Sequence, residues 1–428
     1  VLVPEPANFF EAQAAQEKIA KFSAGGGLTG EGVVAVQGSA VDDKPQEMQM
    51  LVAVRMRPLW QKEDDAGDVR CVSVLQGKVV NVVDPWYDEV INPNRQKEKR
   101  YAFDVVFDEN VGQLEVFEKT SKGLVSGVLD GYNASVFAYG ATGAGKTHTM
   151  LGSIEEPGIM VKTLHAIYSA MEADYQESKF KVTLSYVEIY NEMIKDLLAP
   201  EGLDLKLNED PIRGMVVQGV TEFGASTADE ILELLHRGNL HRTVEPTAAN
   251  QVSSRSHAVL QVIVQALEKY GDKGGKTKRL SKLSLIDLAG SERADKTDNR
   301  GQRLVEGRKI NQSLLALANC INALADRTKR SSHIPYRDSK LTRLLRDSLS
   351  GTSVSVMLCA VSPSSDQFEE TLNTLKYANR AKSMKVPLAP QRQLQQHNPV
   401  QEQVEVLAEL KKSLFELTVD LGAPKTPS

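Results

Sequence analysis

The sequence predicts an α/β fold in which a central, mostly parallel or mixed sheet carries helices on both faces. Strand-sized apolar runs alternate with helical patterns from Met48 to Lys385, the order that builds a layered sheet rather than separate all-α or all-β units. Gly140-Ala141-Thr142-Gly143-Ala144-Gly145-Lys146-Thr147 matches the phosphate-loop pattern G-x-x-x-x-G-K-[ST] and directly follows the apolar run Val136–Tyr139. A second apolar run, Leu283–Leu288, carries Asp287 near its end. An acidic residue at a strand end is what a nucleotide-hydrolysing protein of this type needs beside its metal.

The elements follow from periodicity. Residues 1–47 read as a flexible N-terminal extension: a short helical pattern from Phe10 to Phe22, a glycine-rich stretch from Gly25 to Gly30, and a polar segment ending at Pro45. Strands are expected at Leu51–Val54, Ser135–Tyr139, Val182–Glu188, Ala258–Ala266, Leu283–Leu288 and Val354–Val361. Helices are expected over 145–151, 227–237, 303–325, 338–349 and 367–382, the longest showing Ile310, Leu314, Leu317 and Ile321 at helical spacing. Beyond Lys385, Pro387, Pro390 and the glutamine-rich Gln391–Gln396 exclude regular helix. Leu407, Leu410, Leu414, Leu417 and Leu421 then alternate in steps of three and four over barely two heptads.

Composition bounds the function. The 428 residues carry a net charge of −5, with 51 Lys and Arg against 56 Asp and Glu, so the molecule has no global attraction for nucleic acid or an anionic membrane. No apolar run approaches the ~18 residues of a membrane span. Cys71, Cys320 and Cys359 stand far apart without metal-ligand or paired spacing, which suits a reducing cytosolic compartment. Val1 opens the sequence without an initiator methionine or a leader pattern, which reads as a trimmed boundary.

In a phosphate loop, glycines let backbone N–H groups curl around phosphates, the lysine reaches the β and γ oxygens, and the hydroxyl after it ligates Mg²⁺. Lys146 and Thr147 hold those positions. Two further segments supply the remaining parts. Leu283–Glu292 is an apolar strand ending in Asp287, followed by Gly290, whose N–H can meet a γ-phosphate; Asn250–His257 brings hydroxyls and Arg255 ahead of another strand. Taken separately, an aspartate at a strand end also serves as a helix cap, and a serine-rich turn also serves only as a turn.

In this order and spacing the segments resemble the kinesin motor domain, over about residues 48–385. Val54-Arg55-Met56-Arg57-Pro58 is similar to the kinesin adenine-side strand end, and Thr147-His148-Thr149-Met150 continues the kinesin phosphate loop. Asn250–His257 reads N-x-x-S-S-R-S-H, the switch I pattern, and Asp287–Glu292 reads D-L-A-G-S-E, the switch II pattern. Asn311–Leu314 and His333–Thr342 resemble the microtubule-facing helices and loop. The resemblance implies an ATP hydrolase with ATP and Mg²⁺ as cofactors. Arg55, Arg57 and Pro58 would hold the adenine side, with residues 140–147 (Gly140, Ala141, Thr142, Gly143, Ala144, Gly145, Lys146, Thr147), His148 and Ser254 around the nucleotide. Thr147 and Ser254 would ligate Mg²⁺ and Asp287 would hold its shell through water. Lys146, Ser253, Arg255, Gly290 and Glu292 would act in catalysis, with an Arg255–Glu292 salt bridge closing on the attacking water.

The resemblance also places a filament-binding surface. Between Arg327 and Arg346 seven Lys and Arg face one acid, Asp338, giving this stretch +6 and the remainder −11. A charge cluster by itself is commonly a solvated face. Here it coincides with the kinesin segment that meets acidic tubulin, and Arg337, Lys340 and Arg343 are the expected contacts. Lys195 and Arg213 are expected on a second, β-hairpin contact. The basic stretch Lys269–Lys282 reads as a solvated hairpin loop.

Variants such as Gly131-Tyr132-Asn133-Ala134 before the phosphate loop, Glu245–Asn250 and Asn299–Arg303 look like the kinesin-8 group, which combines plus-end-directed motility with control of microtubule ends. Asp84–Arg100 lies where that group carries an extended loop, and Arg95, Lys97, Lys99 and Arg100 would touch tubulin there. A motile kinesin without depolymerase activity and a nucleotide-locked microtubule-binding scaffold stay as alternatives. A GTPase is disfavoured because no N-K-x-D element follows the switches. The implied location is the cytoplasmic cytoskeleton, on spindle or ciliary microtubules. Residues 386–428 correspond to a neck linker and the start of a neck helix, with Pro387 and Pro390 limiting strand hydrogen bonds in the linker. Two heptads are marginal alone, so this chain is expected to be monomeric and a longer protein homodimeric.

Overall fold

The computed structural model describes residues 47–88, 96–173, 178–199, 204–210, 213–225, 227–242, 255–268, 278–292, 302–325, 334–349, 353–387 and 392–393. The patterns expected at Phe10–Phe22 and after Val400, together with Arg95, Ser253 and Ser254, lie outside these residues.

A central mixed sheet runs in the order Phe223–Ala225, Ser178–Tyr190, His257–Glu268, Lys278–Asp287, Asn133–Tyr139, Ser353–Val361, Leu51–Met56 and Val105–Phe107. The first three pairings are antiparallel and the last four parallel. All six expected strands are present and each begins at or before its expected start; the one expected over Leu283–Leu288 begins at Lys278 and ends one residue early, at Asp287. The parallel strands are buried on both faces, so their side chains alternate between two cores. Val52, Val54 and Met56 point into one, with Phe137, Ile286, Met357 and Cys359. Ala53 faces the other, with Val136, Ala138, Leu285 and Leu358.

The first core is closed by the helices Gln302–Ala325, Lys340–Leu344 and Phe368–Ala381, and the second by Gln113–Lys119, Leu124–Leu129, Ile159–Ala173 and Ala228–Arg242. The helix expected over 338–349 is two short helices, Lys340–Leu344 and Arg346–Leu349, separated at Leu345. Ser339 caps the first by accepting from the Thr342 N–H, which stops it from starting at residue 338.

Two small sheets adjoin the central one. Val72–Leu75, Val79–Val83 and Glu98–Ala102 form an antiparallel meander, so Lys99 and Arg100 sit on a strand and not in the expected loop. Lys206–Asp210 and Gly214–Gln218 form a hairpin. Lys195 lies on a different hairpin strand, Met193–Asp196, paired to Ser178–Tyr190. Lys195 and Arg213 therefore belong to two hairpins rather than one. Lys282 is also not a loop residue: it is buried on its strand and donates to Met215 O at 3.1 Å and to Asp347 at 2.9 Å.

The chain ends of the described region meet. Glu47–Gln49 pairs antiparallel with Lys385–Pro387, and Arg392–Gln393 pairs with Lys278–Arg279. Residue 47, expected in a flexible extension, is thus in a strand, and on the other side of the pairing Lys385–Pro387 is a strand as well; Pro390 lies outside the described residues. Pro387 stands at the last position of its strand, where its missing N–H interrupts nothing further.

Candidate nucleotide site and its neighbours

The parallel strands Asn133–Tyr139, Lys278–Asp287, Ser353–Val361 and Leu51–Met56 end at one edge of the sheet, the position where open α/β sheets bind ligands. From that edge emerge the phosphate loop, the segment after Asp287, and Arg57-Pro58. Gly140 has φ +147, and a Cβ there would lie 2.2 Å from the Ala360 carbonyl oxygen, so only glycine lets the loop cross the neighbouring strand. The loop then runs into the helix Lys146–Met150.

Lys146 is 6% exposed, and its ammonium donates to the Gly140 and Ala141 carbonyls, each at 2.9 Å. Burial lowers its pKa from the usual lysine value. Thr147 Oγ1 donates to Asp287 Oδ2 at 2.8 Å. The same oxygen accepts from Arg242 Nη1 at 2.9 Å, in an ion pair whose side chains are 2% and 1% exposed. Asp287 Oδ1 is buried without a hydrogen-bond partner among the described residues. Arg242 also donates through Nη2 to Ser256 O at 2.9 Å. Sequence reasoning missed it, because an arginine at the end of a helix reads as an ordinary C-terminal charge complement.

Glu292 reaches back to the phosphate loop, accepting from the Thr142 N–H at 2.8 Å and from its hydroxyl. Ser291 N donates to Gly140 O at 3.1 Å. These contacts lay the segment after Asp287 across the loop. A Cβ at Gly290 would meet the Glu292 carboxylate and the Thr142 hydroxyl, so a side chain there would have to push both from their present places. Arg255 stands half-buried in the turn before the strand His257–Glu268.

Arg55, Arg57, Pro58, Ala144, Gly145 and His148 line a cavity of about 310 Å³ that also includes Glu109 and Glu156. The two arginines brace this cavity. Arg55 Nη1 donates to Gln113 at 2.8 Å and Thr149 at 3.1 Å, and its Nη2 to Val111 O at 3.1 Å. Arg57 Nε donates to Gly143 O at 2.8 Å, and its two Nη groups bind Glu63, one of them also Pro58 O. Three of the five Arg55 N–H donors and four of the five Arg57 donors are committed to protein groups, so a base would be met largely by the flat or aliphatic parts of their side chains. Trp60, not expected at the site, stacks beneath Arg57 with 3.8 Å from guanidinium carbon to ring centre, and its ring approaches Gly143 of the loop.

The basic residues expected to meet a filament are in part already paired. Lys340 Nζ donates to Asp204 at 2.9 and 3.0 Å, Arg213 pairs with Glu222 at 2.7 Å, and Arg346 makes a two-pronged pair with Glu209. Arg337 is exposed and Arg343 half-buried, and neither makes an ion pair among the described residues. Arg100 pairs with Glu98. Lys97 is exposed.

A family model described as the kinesin motor domain matches residues 55–384. The chain belongs to the kinesin motor domain family. That membership makes the phosphate loop a nucleotide-binding loop. Among its relatives, Kinesin-like protein KIF19 of Homo sapiens is 50% identical over 342 residues, covering 79% of this chain and 34% of that protein. KIF18B of Gallus gallus is 48% identical over 360 residues (82% and 44%), and KIN-8A of Oryza sativa subsp. japonica is 44% identical over 406 (94% and 51%). These relatives are kinesin-8 proteins, as the variants around the loop and switch I led us to expect. The chain spans about a third to a half of their length. Among solved structures, a fast kinesin is 37% identical with a TM-score of 0.72, covering 82% of this chain and 96% of that one. A KIF14 dimer in complex with AMP-PNP and a microtubule is 33% identical with a TM-score of 0.74, covering 81% and 96%.

Proposed function

We propose that this kinesin motor domain is a microtubule-stimulated ATPase that couples Mg-ATP hydrolysis to plus-end-directed movement and regulates microtubule length by acting on microtubule ends. The observation that carries the reading is the Thr147–Asp287 pair with its unpartnered Oδ1. A hydroxyl and a buried, unsatisfied carboxylate oxygen side by side are a fitting donor set for a hydrated hard cation. Thr147 and Ser254 would hold Mg²⁺, with Asp287 acting through water. The metal would neutralise phosphate charge as phosphoryl transfer proceeds.

The chain's own residues do the rest. Lys146, released from the Gly140 and Ala141 carbonyls, moves its charge onto the β and γ oxygens. Gly290 donates its N–H to the γ-phosphate. Glu292 leaves Thr142 and pairs with Arg255, and Ser253 helps to enclose the attacking water; alignment and exclusion of bulk water do more for this reaction than a strong base. Arg55, Arg57, Pro58 and His148 wall the adenine side. Arg337, Lys340 and Arg343, with Lys195, Arg213 and the residues Arg95, Lys97, Lys99 and Arg100, meet acidic tubulin. Residues 48–385 form the motor, and 386–428 form its neck.

A motile kinesin without end activity is the second reading, favoured by the neck segment lying paired on the core at Lys385–Pro387 and Arg392–Gln393. ATP turnover measured with soluble tubulin, with microtubules and with stabilised microtubule ends separates the two. Stimulation by microtubules with shortening of stabilised ends supports the first. Stimulation without shortening at saturating protein supports the second, and no stimulation at all removes both.

A further inference from the structure

His257 ends the switch I motif and has no part in the nucleotide chemistry above, yet it is 2% exposed and bonded at both ring nitrogens. Its Cα lies on the strand next to the one carrying Asp287, with Ala258 opposite Asp287 in the ladder. Nδ1 faces the Ala289 backbone N–H at 3.0 Å. Nε2 faces Ser313 Oγ at 2.8 Å. An amide N–H can only donate, so Nδ1 is the acceptor. The proton of the neutral ring is therefore on Nε2, and it is given to the serine hydroxyl.

The two partners are the two parts that a motor must coordinate. Ala289 immediately precedes Gly290, the residue expected at the γ-phosphate. Ser313 is on the long helix Gln302–Ala325, in the Asn311–Leu314 motif of the filament-facing side. One imidazole thus joins the nucleotide-sensing loop to the filament-side helix, between positions 32 and 56 residues away in sequence.

We propose that His257 is a positioning residue that locks the loop after Asp287 and the helix Gln302–Ala325 into matched arrangements, so that filament contact and γ-phosphate contact change together. The inference rests on the motor reading above. Its physical basis is the cost of a half-made state. If the loop moves without the helix, or the helix without the loop, either Ala289 N–H or the imidazole N–H is stranded in a dry site, where a donor without an acceptor loses its water and gains nothing in return. Burial, reinforced by the positive Arg242 and Lys146, drives the His257 pKa down to about 3, which keeps the ring in the single neutral form that both bonds require. A charged ring would have no acceptor for Ala289.

The test uses the whole chain, with ATPase measured alone and with microtubules. Ser313→Ala deletes the distal bond with the least change in volume. Basal turnover should stay within about two-fold, while the microtubule-stimulated kcat falls about ten-fold and the KM for ATP changes little. His257→Asn retains an acceptor near Nδ1 but cannot reach Ser313, so it should show the same loss. The double variant should be no worse than either single one, because all three remove one bond. Equal stimulation in Ser313→Ala and the parent would overturn the proposal, as would additive losses in the double variant or a parallel fall in basal and stimulated rates. An unstimulated parent overturns the motor reading instead, and the comparison of variants distinguishes the two failures. If His257→Asn does not fold, Ser313→Ala alone still decides.

Discussion

Arg242 and Asp287 form a buried ion pair at 2.9 Å in which one carboxylate oxygen takes both the arginine and Thr147, leaving the other without a partner among the described residues. The arginine comes from the end of the helix Ala228–Arg242 and the aspartate from the end of a central strand. Breaking such a pair strands a charge. Arg242→Ala should lower unfolding stability by about 3–5 kcal/mol, and Arg242→Met combined with Asp287→Asn should recover most of it. Urea unfolding of the parent and the two variants measures this; a loss below about 1 kcal/mol in Arg242→Ala would show that the pair is not dry.

His257 makes stability depend on pH. Its folded pKa, near 3, lies below its ordinary value of 6.5, so between those limits the unfolded chain binds a proton that the folded chain refuses. Its contribution is complete above pH 6.5 and is lost as the pH falls below it, by about 1.4 kcal/mol per unit. From pH 7 to pH 5 this amounts to about 2 kcal/mol. His257→Asn should show a shallower decline over that range in chemical unfolding, and parallel curves for parent and variant would mean that the ring is protonated in the fold.

Asp204 and Glu209 occupy Lys340 and Arg346 before any acidic filament does. Replacing both acids, as Asp204→Asn with Glu209→Gln, should tighten microtubule binding about three- to ten-fold at low salt, since each exposed pair contributes up to about 1 kcal/mol. The gain should shrink in added salt. Asp338→Asn is the control: it removes one charge from the same face, where Asp338 makes no ion pair among the described residues. Cosedimentation in which that variant gains as much would show that charge alone, not pairing, sets the affinity.

Trp60 carries Arg57 on its face and abuts Gly143, and Arg57 in turn holds the Gly143 carbonyl. Trp60→Ala should raise the KM for ATP about five-fold, the equivalent of about 1 kcal/mol of cation–aromatic support. Trp60 and Trp86 are the chain's two tryptophans, so in a Trp86→Phe background the fluorescence of Trp60 should change on adding ATP. A silent signal with an unchanged KM would remove Trp60 from the site.

Glu292→Ala deletes the contacts to Thr142 and, in the proposed closed state, the pair with Arg255. Nucleotide binding should survive and microtubule-stimulated turnover should be lost. Near-normal turnover would take the glutamate out of the mechanism.

Much of the site was legible because it is contiguous. Residues 140–148 and 287–292 declare themselves as motifs, since a loop that wraps phosphate needs its glycines, lysine and hydroxyl in immediate succession. The six central strands were readable because their residues are mostly apolar, near-continuously so in Val354–Val361 and alternating with polar residues in Val182–Glu188. The helices Gln113–Lys119 and Leu124–Leu129 were not expected, since fewer than two turns show no period. The helix Ile159–Ala173 was not expected either, although Met160, Leu164 and Ile167 are spaced helically.

By itself the sequence determined the α/β class, the kinesin family and the phosphate-loop motif, because each rests on neighbours along the chain. Only the tertiary structure decided that Arg242 faces Asp287, that Arg55 and Arg57 spend most of their donors on the protein, that Lys340 and Arg346 are already paired, and that His257 joins Ala289 to Ser313. Each of these partnerships spans tens of residues or more, save the contacts of Arg57 with Glu63 and Pro58. A side chain's spare hydrogen-bonding capacity is set by what the fold packs against it, and no local pattern encodes that.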